Sequence, residues 1–226
     1  NDTWLPLASM DRVLTEEAAG RRAAGSTTGL LPVLDRLLEA LLAVAGIATE
    51  GMVRDVGWHL LDAGRRLERA LYVVESLGAT LVRTRVDEVD AYVLESLLIA
   101  HESSITYRRR HTSRPDVANL LDLVLVDAAN PRSLAYQVHR LREDLAAVPA
   151  STSTDTRDRL VQDLVELVSE VDVRAAGAAI DGRRERLAEL LESLRWRLRA
   201  VSDEVAAVHF VHPTPSRALD DSWGVS

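Results

Sequence analysis

Apolar residues recur along most of this chain at steps of three and four, the period of amphipathic helices rather than of strands. The most informative run spans 50–77, where Val53, Val56, Leu60, Leu67, Leu71 and Val74 share one seam and Gly64 stands where a further member falls. One step round lie Arg54, Trp58, Leu61, Arg65, Glu68 and Tyr72. That mixed stripe is either a solvated shoulder or a buried ion-pair layer between helices.

The same period organises the flanking segments. Trp4, Leu5, Leu7, Met10, Val13 and Leu14 predict a short helix within 1–17, followed by a flexible loop from Ala18 to Thr28. Leu30–Ile47 predicts a helix with Pro32 in its first turn and Leu34, Leu37, Leu38, Leu41, Leu42 and Ala45 facing inward. After a charged connection at Arg83–Asp90, a helix is expected over Ala91–His111, with Leu94, Leu98, His101, Ile105 and Arg108 at seam spacing. A short apolar helix, Val117–Val126, follows Pro115. Asn130 is expected to cap the next helix and Pro131 to be its first residue, with a seam at Leu134, Val138, Leu141 and Leu145.

Beyond the polar loop at Pro149–Asp155, a helix is expected over 157–179, a break at Gly182, and a last helix over 183–208 with Leu187, Leu191, Leu194, Leu198, Val201, Val205 and Val208 in register. No strand is needed. The reading is an all-α helical bundle of about six to eight helices with long antiparallel members. It divides into an N-terminal helix and loop at 1–28, a bundle at 29–211 and an irregular tail at 212–226.

Composition sharpens this picture. Hydrophobic residues make up 47% and aromatic residues only 4%, so the core must be built from Leu, Val and Ala, which suits packed helices. The net charge of −8 argues against broad nucleic-acid or anionic-membrane binding, although all 27 basic residues are Arg and a local cluster could grip an anion. Cysteine is absent, which excludes disulfides, thiolate metal sites and Cys nucleophiles. The best apolar run, Leu37–Ala48, is interrupted by Glu39 and falls short of the roughly 20 residues that span a bilayer. The first residues carry no basic patch followed by an apolar stretch, and the expected location is the cytoplasm. Because the chain opens on Asn1 rather than Met, a processed or truncated fragment is compatible with it.

The motifs exclude more than they assign. His101-Glu102 resembles the start of a zinc protease signature, but Ile105 stands where the second His belongs, and no Glu-x-x-His pair occurs. His139 and Glu143 are spaced for a weak metal contact, yet a solvated pair accounts for them, so no metal or cofactor is expected. No Gly-rich phosphate loop or Ser nucleophile elbow is present. What remains is a set of acids and arginines. Gly64-Arg65-Arg66-Leu67-Glu68-Arg69 places Asp62 four before Arg66 and Arg65 four before Arg69, either as intrahelical pairs or as a register-fixing ion network between helices. Tyr107-Arg108-Arg109-Arg110 sends three guanidiniums in three directions, of which at least one is expected to meet Glu68, Glu95, Glu102 or a bound anion. Asp127, Asn130 and Arg132 form a polar corner at a helix start.

Four stretches together carry a resemblance: Met52–Trp58 running into Gly64–Arg69, Ser104–Arg108, Leu123–Asp127, and Asn130-Pro-Arg-Ser-Leu134 with Gln137, closed by Pro149. They resemble the bacterial alpha-E domain, a helical domain of unassigned function, over at least Gly51–Pro149. The family's first segment, with a Trp-x-Gly-Arg-Tyr-x-Glu-Arg block, has no counterpart before Thr28, so the chain is expected to lack it.

The resemblance implies association with circularly permuted ATP-grasp proteins, fused or separate, and with transglutaminase-like proteins. ATP-grasp enzymes join carboxylates to amines, so a helical accessory or substrate-presenting domain for an amide or peptide ligase is the leading expectation. Its polar groups would be Arg54, Arg65, Glu68, Arg69, Glu95, Glu102, Tyr107, Arg108, Asp127, Asn130 and Arg132. The alternatives are a catalytic domain in which Glu68 or Glu102, buried and raised in pKa, serves as general acid or base, and a purely structural interaction module.

Overall fold

The computed structural model describes residues 4–24, 30–149 and 154–210, and the chain divides into two compact units, Asn1–Trp58 and His59–Ser226. The division falls well after the boundary that the sequence places at Thr28, because the second helix packs with the first. The tail at 212–226 lies outside the described residues. Among those residues the fold is all-α, with ten α-helices where the periodicity shows eight. The two extra helices arise from two breaks described below.

In the first unit, α1 (Trp4–Ala24) packs against α2 (Leu30–Gly46). Helix α1 runs through residues 18–24, where a loop is expected, because Ala and Arg are strong helix formers and a lone Gly20 is too small a penalty to stop the helix. Helix α2 half-buries Val33, Leu37, Ala40 and Val44, whereas Leu34, Leu38, Leu41 and Leu42 lie exposed, with Leu31 at 74%. The expected inward set is therefore largely displaced. The charges Asp35, Arg36 and Glu39 lie on one side, so the period does select a face, and the half-buried stripe is rotated away from the centre of that face.

A π-helical turn, Ile47–Gly51, and an extended stretch precede α3 (Val56–Leu81). The helix thus starts later than its seam suggests, and Val53 is left 78% exposed. Arg54 explains the stretch: Nη2 donates to the Thr49 carbonyl at 2.6 Å and the guanidinium lies 3.9 Å over the Trp58 ring. Trp58 Nε1 in turn donates to the Ala48 carbonyl at 2.6 Å, and Asp55 Oδ1 accepts from the Trp58 N–H. Arg54 is a local clasp for this turn.

In the second unit the core gathers Leu67, Val74 and Leu77 of α3 with α7 (Leu134–Ala146), α8 (Thr154–Ser169) and α10 (Glu185–His209). Helix α7 packs on α8 and α8 on α10. Between these long helices, α6 (Val117–Leu121) and the π-helical turn after it place Leu120, Leu121, Leu123, Val124 and Leu125 entirely out of water. At about 25 cal/mol per Å² of apolar surface, such a run anchors the unit. The seams of α7 and α10 are buried as their spacing predicts, except that Val208 at the end of α10 is only half-buried.

The helix expected over 91–111 is two helices, α4 (Asp87–Ala100) and α5 (Ser104–Arg110). Its break carries no Gly or Pro. Ser103 N–H bonds to the Leu98 carbonyl and Glu102 N–H to the Ile99 carbonyl, a Schellman termination with Glu102 at the left-handed position, φ 48°. That position ordinarily takes Gly, and a side chain there costs about 1 kcal/mol or more. The break swings the seam round, so Tyr107 is buried while Ile105 and Arg108 face water.

The second break follows α8. Asp172 caps α9 (Val173–Gly177) by accepting from the N–H groups of Arg174 and Ala175. The Asn130 cap is also corrected: Ser133 caps α7, accepting from Tyr136 N–H at 3.1 Å. Asn130 is buried instead, with Nδ2 donating to the Leu123 carbonyl at 2.8 Å and Oδ1 accepting from Arg132 N–H.

Candidate functional site

Burial separates the candidate residues into structural and available groups. Among the described residues the most buried acids are Asp62 on α3 and Asp144 on α7, at 2% and 1% exposure, neither of them among the candidates. Asp62 accepts from Arg66 Nε at 3.0 Å and Nη2 at 2.9 Å, and more weakly from Arg65 at 3.4 Å. Arg66 also reaches Gln137 Oε1 at 3.2 Å, and Gln137 Nε2 donates to the Pro131 carbonyl at 2.6 Å. His59 Nδ1 lies 3.0 Å from Asp144 Oδ1. The buried ion layer between helices therefore exists, but Asp62 and Arg66 form it. Arg65 joins its edge, and Glu68 points to solvent.

Other candidates act as fasteners. Glu95 pairs with Arg108 at 2.8 Å on the rim of a cleft of about 460 Å³. Both side chains are exposed, so this pair contributes little stability. Buried Tyr107 accepts from Asp116 N–H at 3.1 Å and its ring lies 4.8 Å from His111. Arg110 pairs with Asp127 at 2.6 Å, while Arg109 is exposed. None of the three consecutive arginines enters the core. Asp127 also accepts from Ala129 N–H, and its carbonyl accepts from the Ser133 hydroxyl.

Three remaining candidates converge. Arg69, Glu102 and Arg132 line one cleft of about 270 Å³ with Tyr72, Val73, Ala100, His101, Pro131 and Gln137. The breaks in the chain create it: the Schellman turn carries Glu102, and the Asn130 side chain holds the Arg132 backbone. Glu102 and Arg132 are ion-paired. Arg69 makes no hydrogen bond or ion pair among the described residues. Desolvation pushes its pKa below the ordinary value, and the charges of Arg65, Arg66 and Arg132 add to that, with Asp62 opposing. A guanidinium so placed stays protonated, and its crowding by like charge is relieved by an incoming anion.

The floor of the cleft is neutral. His101 is buried, its Nε2 2.8 Å from Ser76 Oγ and its ring 5.2 Å from Tyr72, and burial lowers its pKa. Glu68 and Glu102, the candidates for acid or base, are both exposed rather than buried. Other grooves offer less. The groove of about 620 Å³ between α3 and α10 is larger, but Arg183, Arg195 and Glu75 on its walls are engaged by Glu185, Glu192 and Arg199. Among the described residues no group of three or more His, Asp or Glu is placed to hold a metal ion, and no helix is long and apolar enough to cross a membrane.

Comparison with known proteins adds the family. A family model described as a predicted alpha-helical domain with a conserved ER motif matches residues 1–210, beyond the Gly51–Pro149 stretch that carries the resemblance. The chain belongs to the Alpha-E family. It contains two Glu-Arg dipeptides, Glu68-Arg69 and Glu185-Arg186, and the first supplies Arg69 of the cleft. The chain is 35% identical over 226 residues to uncharacterised proteins of Mycobacterium bovis and of two strains of Mycobacterium tuberculosis, covering 99% of this chain. It spans about a quarter (25%) of the length of each relative. No solved structure matches this Alpha-E chain.

Proposed function

We propose that this chain is a helical accessory domain that presents a carboxylate-bearing substrate to an ATP-grasp-type amide or peptide ligase and does not itself make the bond. The observation that carries the reading is Arg69, a guanidinium without an acidic partner among the described residues, opening on a cleft whose wall holds a second guanidinium. Such a site recognises an anion and holds it in place. The resemblance to the alpha-E domain, which implies association with ATP-grasp proteins, is the ground for the ligase as partner. The greater length of the relatives supports a domain that works beside other domains. The general acid–base reading of Glu68 and Glu102 is not favoured, because both are exposed.

Co-purification of this chain with ATP-grasp-type proteins encoded beside it tests the partnership. A complex that survives gel filtration is expected. Separate elution of every such protein, with amide or peptide turnover by this chain alone that is lost in Glu68→Gln, would overturn the reading in favour of an enzyme.

A further inference from the structure

The Arg69 cleft already contains one carboxylate, and that carboxylate belongs to the chain itself. Glu102 engages Arg132 from a backbone position, φ 48°, that glycine ordinarily fills. Strain of this kind persists where the surrounding structure holds the residue in place. The cleft holds two guanidiniums and one carboxylate, and burial disfavours a charge on its histidine, so the guanidiniums outnumber the acid. Both members of the Glu102–Arg132 pair are solvent-accessible, at 67% and 43%, so an exchange of partners needs no unfolding.

We infer that the cleft between Arg69 and Arg132 is a binding site for a monocarboxylate with a small apolar body, and that Glu102 is a resident competitor which the ligand displaces from Arg132. The identity of the ligand follows from its stand-in: the group that Arg132 holds now is a carboxylate, a planar acceptor matched to the guanidinium fork. The small size of the apolar body follows from the limited wall made by half-exposed Tyr72 with Ala100 and Pro131. The cleft of about 270 Å³ is smaller than ordinary small-molecule pockets, which suits the end group of a longer molecule, such as a peptide C-terminus. This inference rests on the anion-holding reading proposed above.

The test is a calorimetric titration of the intact chain with N-acetyl-leucine, with N-acetyl-leucinamide and with inorganic phosphate at low salt. Wild type is expected to bind the acid and not the amide, and Arg69→Ala to lose that binding. Glu102→Gln and Glu102→Gly are each expected to bind the acid at least three-fold more tightly, with circular dichroism unchanged. If the acid binds through Arg69 but neither Glu102 variant binds more tightly, the competitor role is wrong and the anion cleft stands. Weaker binding in both variants would make Glu102 part of the ligand's own shell, also against the inference. Phosphate binding as tight as the acid would replace the carboxylate assignment with a general anion site. Equal binding of acid and amide, or no binding of either, would overturn the cleft itself.

Discussion

Replacing Asp62 by asparagine is expected to remove about 3 kcal/mol of stability, the loss that follows when one partner of a buried ion pair is taken away and the other stays behind. The arginine left behind, Arg66, is only 12% exposed at its side chain, against 3% for the Asp62 side chain. It can still lean on Gln137, which is why the lower end of the range applies. The corresponding fall in melting temperature is on the order of 10 °C. A loss below about 1 kcal/mol in urea unfolding would mean that the pair behaves as an ordinary surface contact.

The same layer makes stability depend on pH. Burial pushes Asp62 upward, but the Arg66 hydrogen bond and charge, with help from Asp144 and Arg65, hold its pKa below the ordinary 3.8. Burial also pushes Asp144 upward, and there the hydrogen bond from His59 and the charge of Arg140 fail to offset burial and the adjoining Asp62. The two carboxyls titrate as a pair, with Asp62 ionised first. A lowered folded pKa gives stability that is present above 3.8 and lost as pH falls through the folded value. A raised one acts oppositely, giving stability present below 3.8 and lost as pH rises to the folded value. Asp144→Asn is therefore expected to gain on wild type as pH rises from about 3.8 into the mildly acidic range. Unfolding curves with a gap that does not change with pH would contradict this.

Arg184→Ala is expected to cost a similar amount, about 3 kcal/mol, because truncation leaves two carbonyls without their charged donor. Buried Arg184 donates from Nη1 to the Leu81 carbonyl at 2.7 Å and from Nε to the Gly177 carbonyl at 3.1 Å, and Nη2 approaches Asp90 at 3.4 Å. One side chain thus ties the C-terminal ends of α3 and α9 to the start of α10. Cations are favoured at such ends, where helix dipoles leave partial negative charge. Arg184→Lys should recover less than half of the loss, since one ammonium cannot reproduce the fork. Full recovery by Lys, measured by urea unfolding, would show that charge alone matters.

The sequence discloses the fold class and the seams of α7 and α10, because there the apolar residues stand at the buried positions themselves. It does not disclose where the buried charge lies. Asp62 is visible four residues before Arg66, but spacing shows only that the two can meet, and burial depends on α7 packing over them. Asp144 and His59 stand 85 positions apart, so no local pattern couples them. Arg184 belongs to a Gly-Arg-Arg run that looks like chance in an Arg-rich chain. The break at Glu102 carries neither Gly nor Pro, and with it goes the geometry that brings Arg69, Glu102 and Arg132 to one cleft. Those three residues are legible as polar candidates. Their convergence belongs to the three-dimensional structure.

The proposed role of this domain is to serve a ligase by holding an anion through Arg69. The most direct test is ATP turnover by the co-purified ATP-grasp-type ligase, measured with wild-type chain, with the Arg69→Ala variant and without the chain. Stimulation by wild type, with Arg69→Ala still bound to the ligase but reduced at least ten-fold in stimulation at limiting substrate, is the expected result. Equal stimulation by wild type and Arg69→Ala would contradict the account.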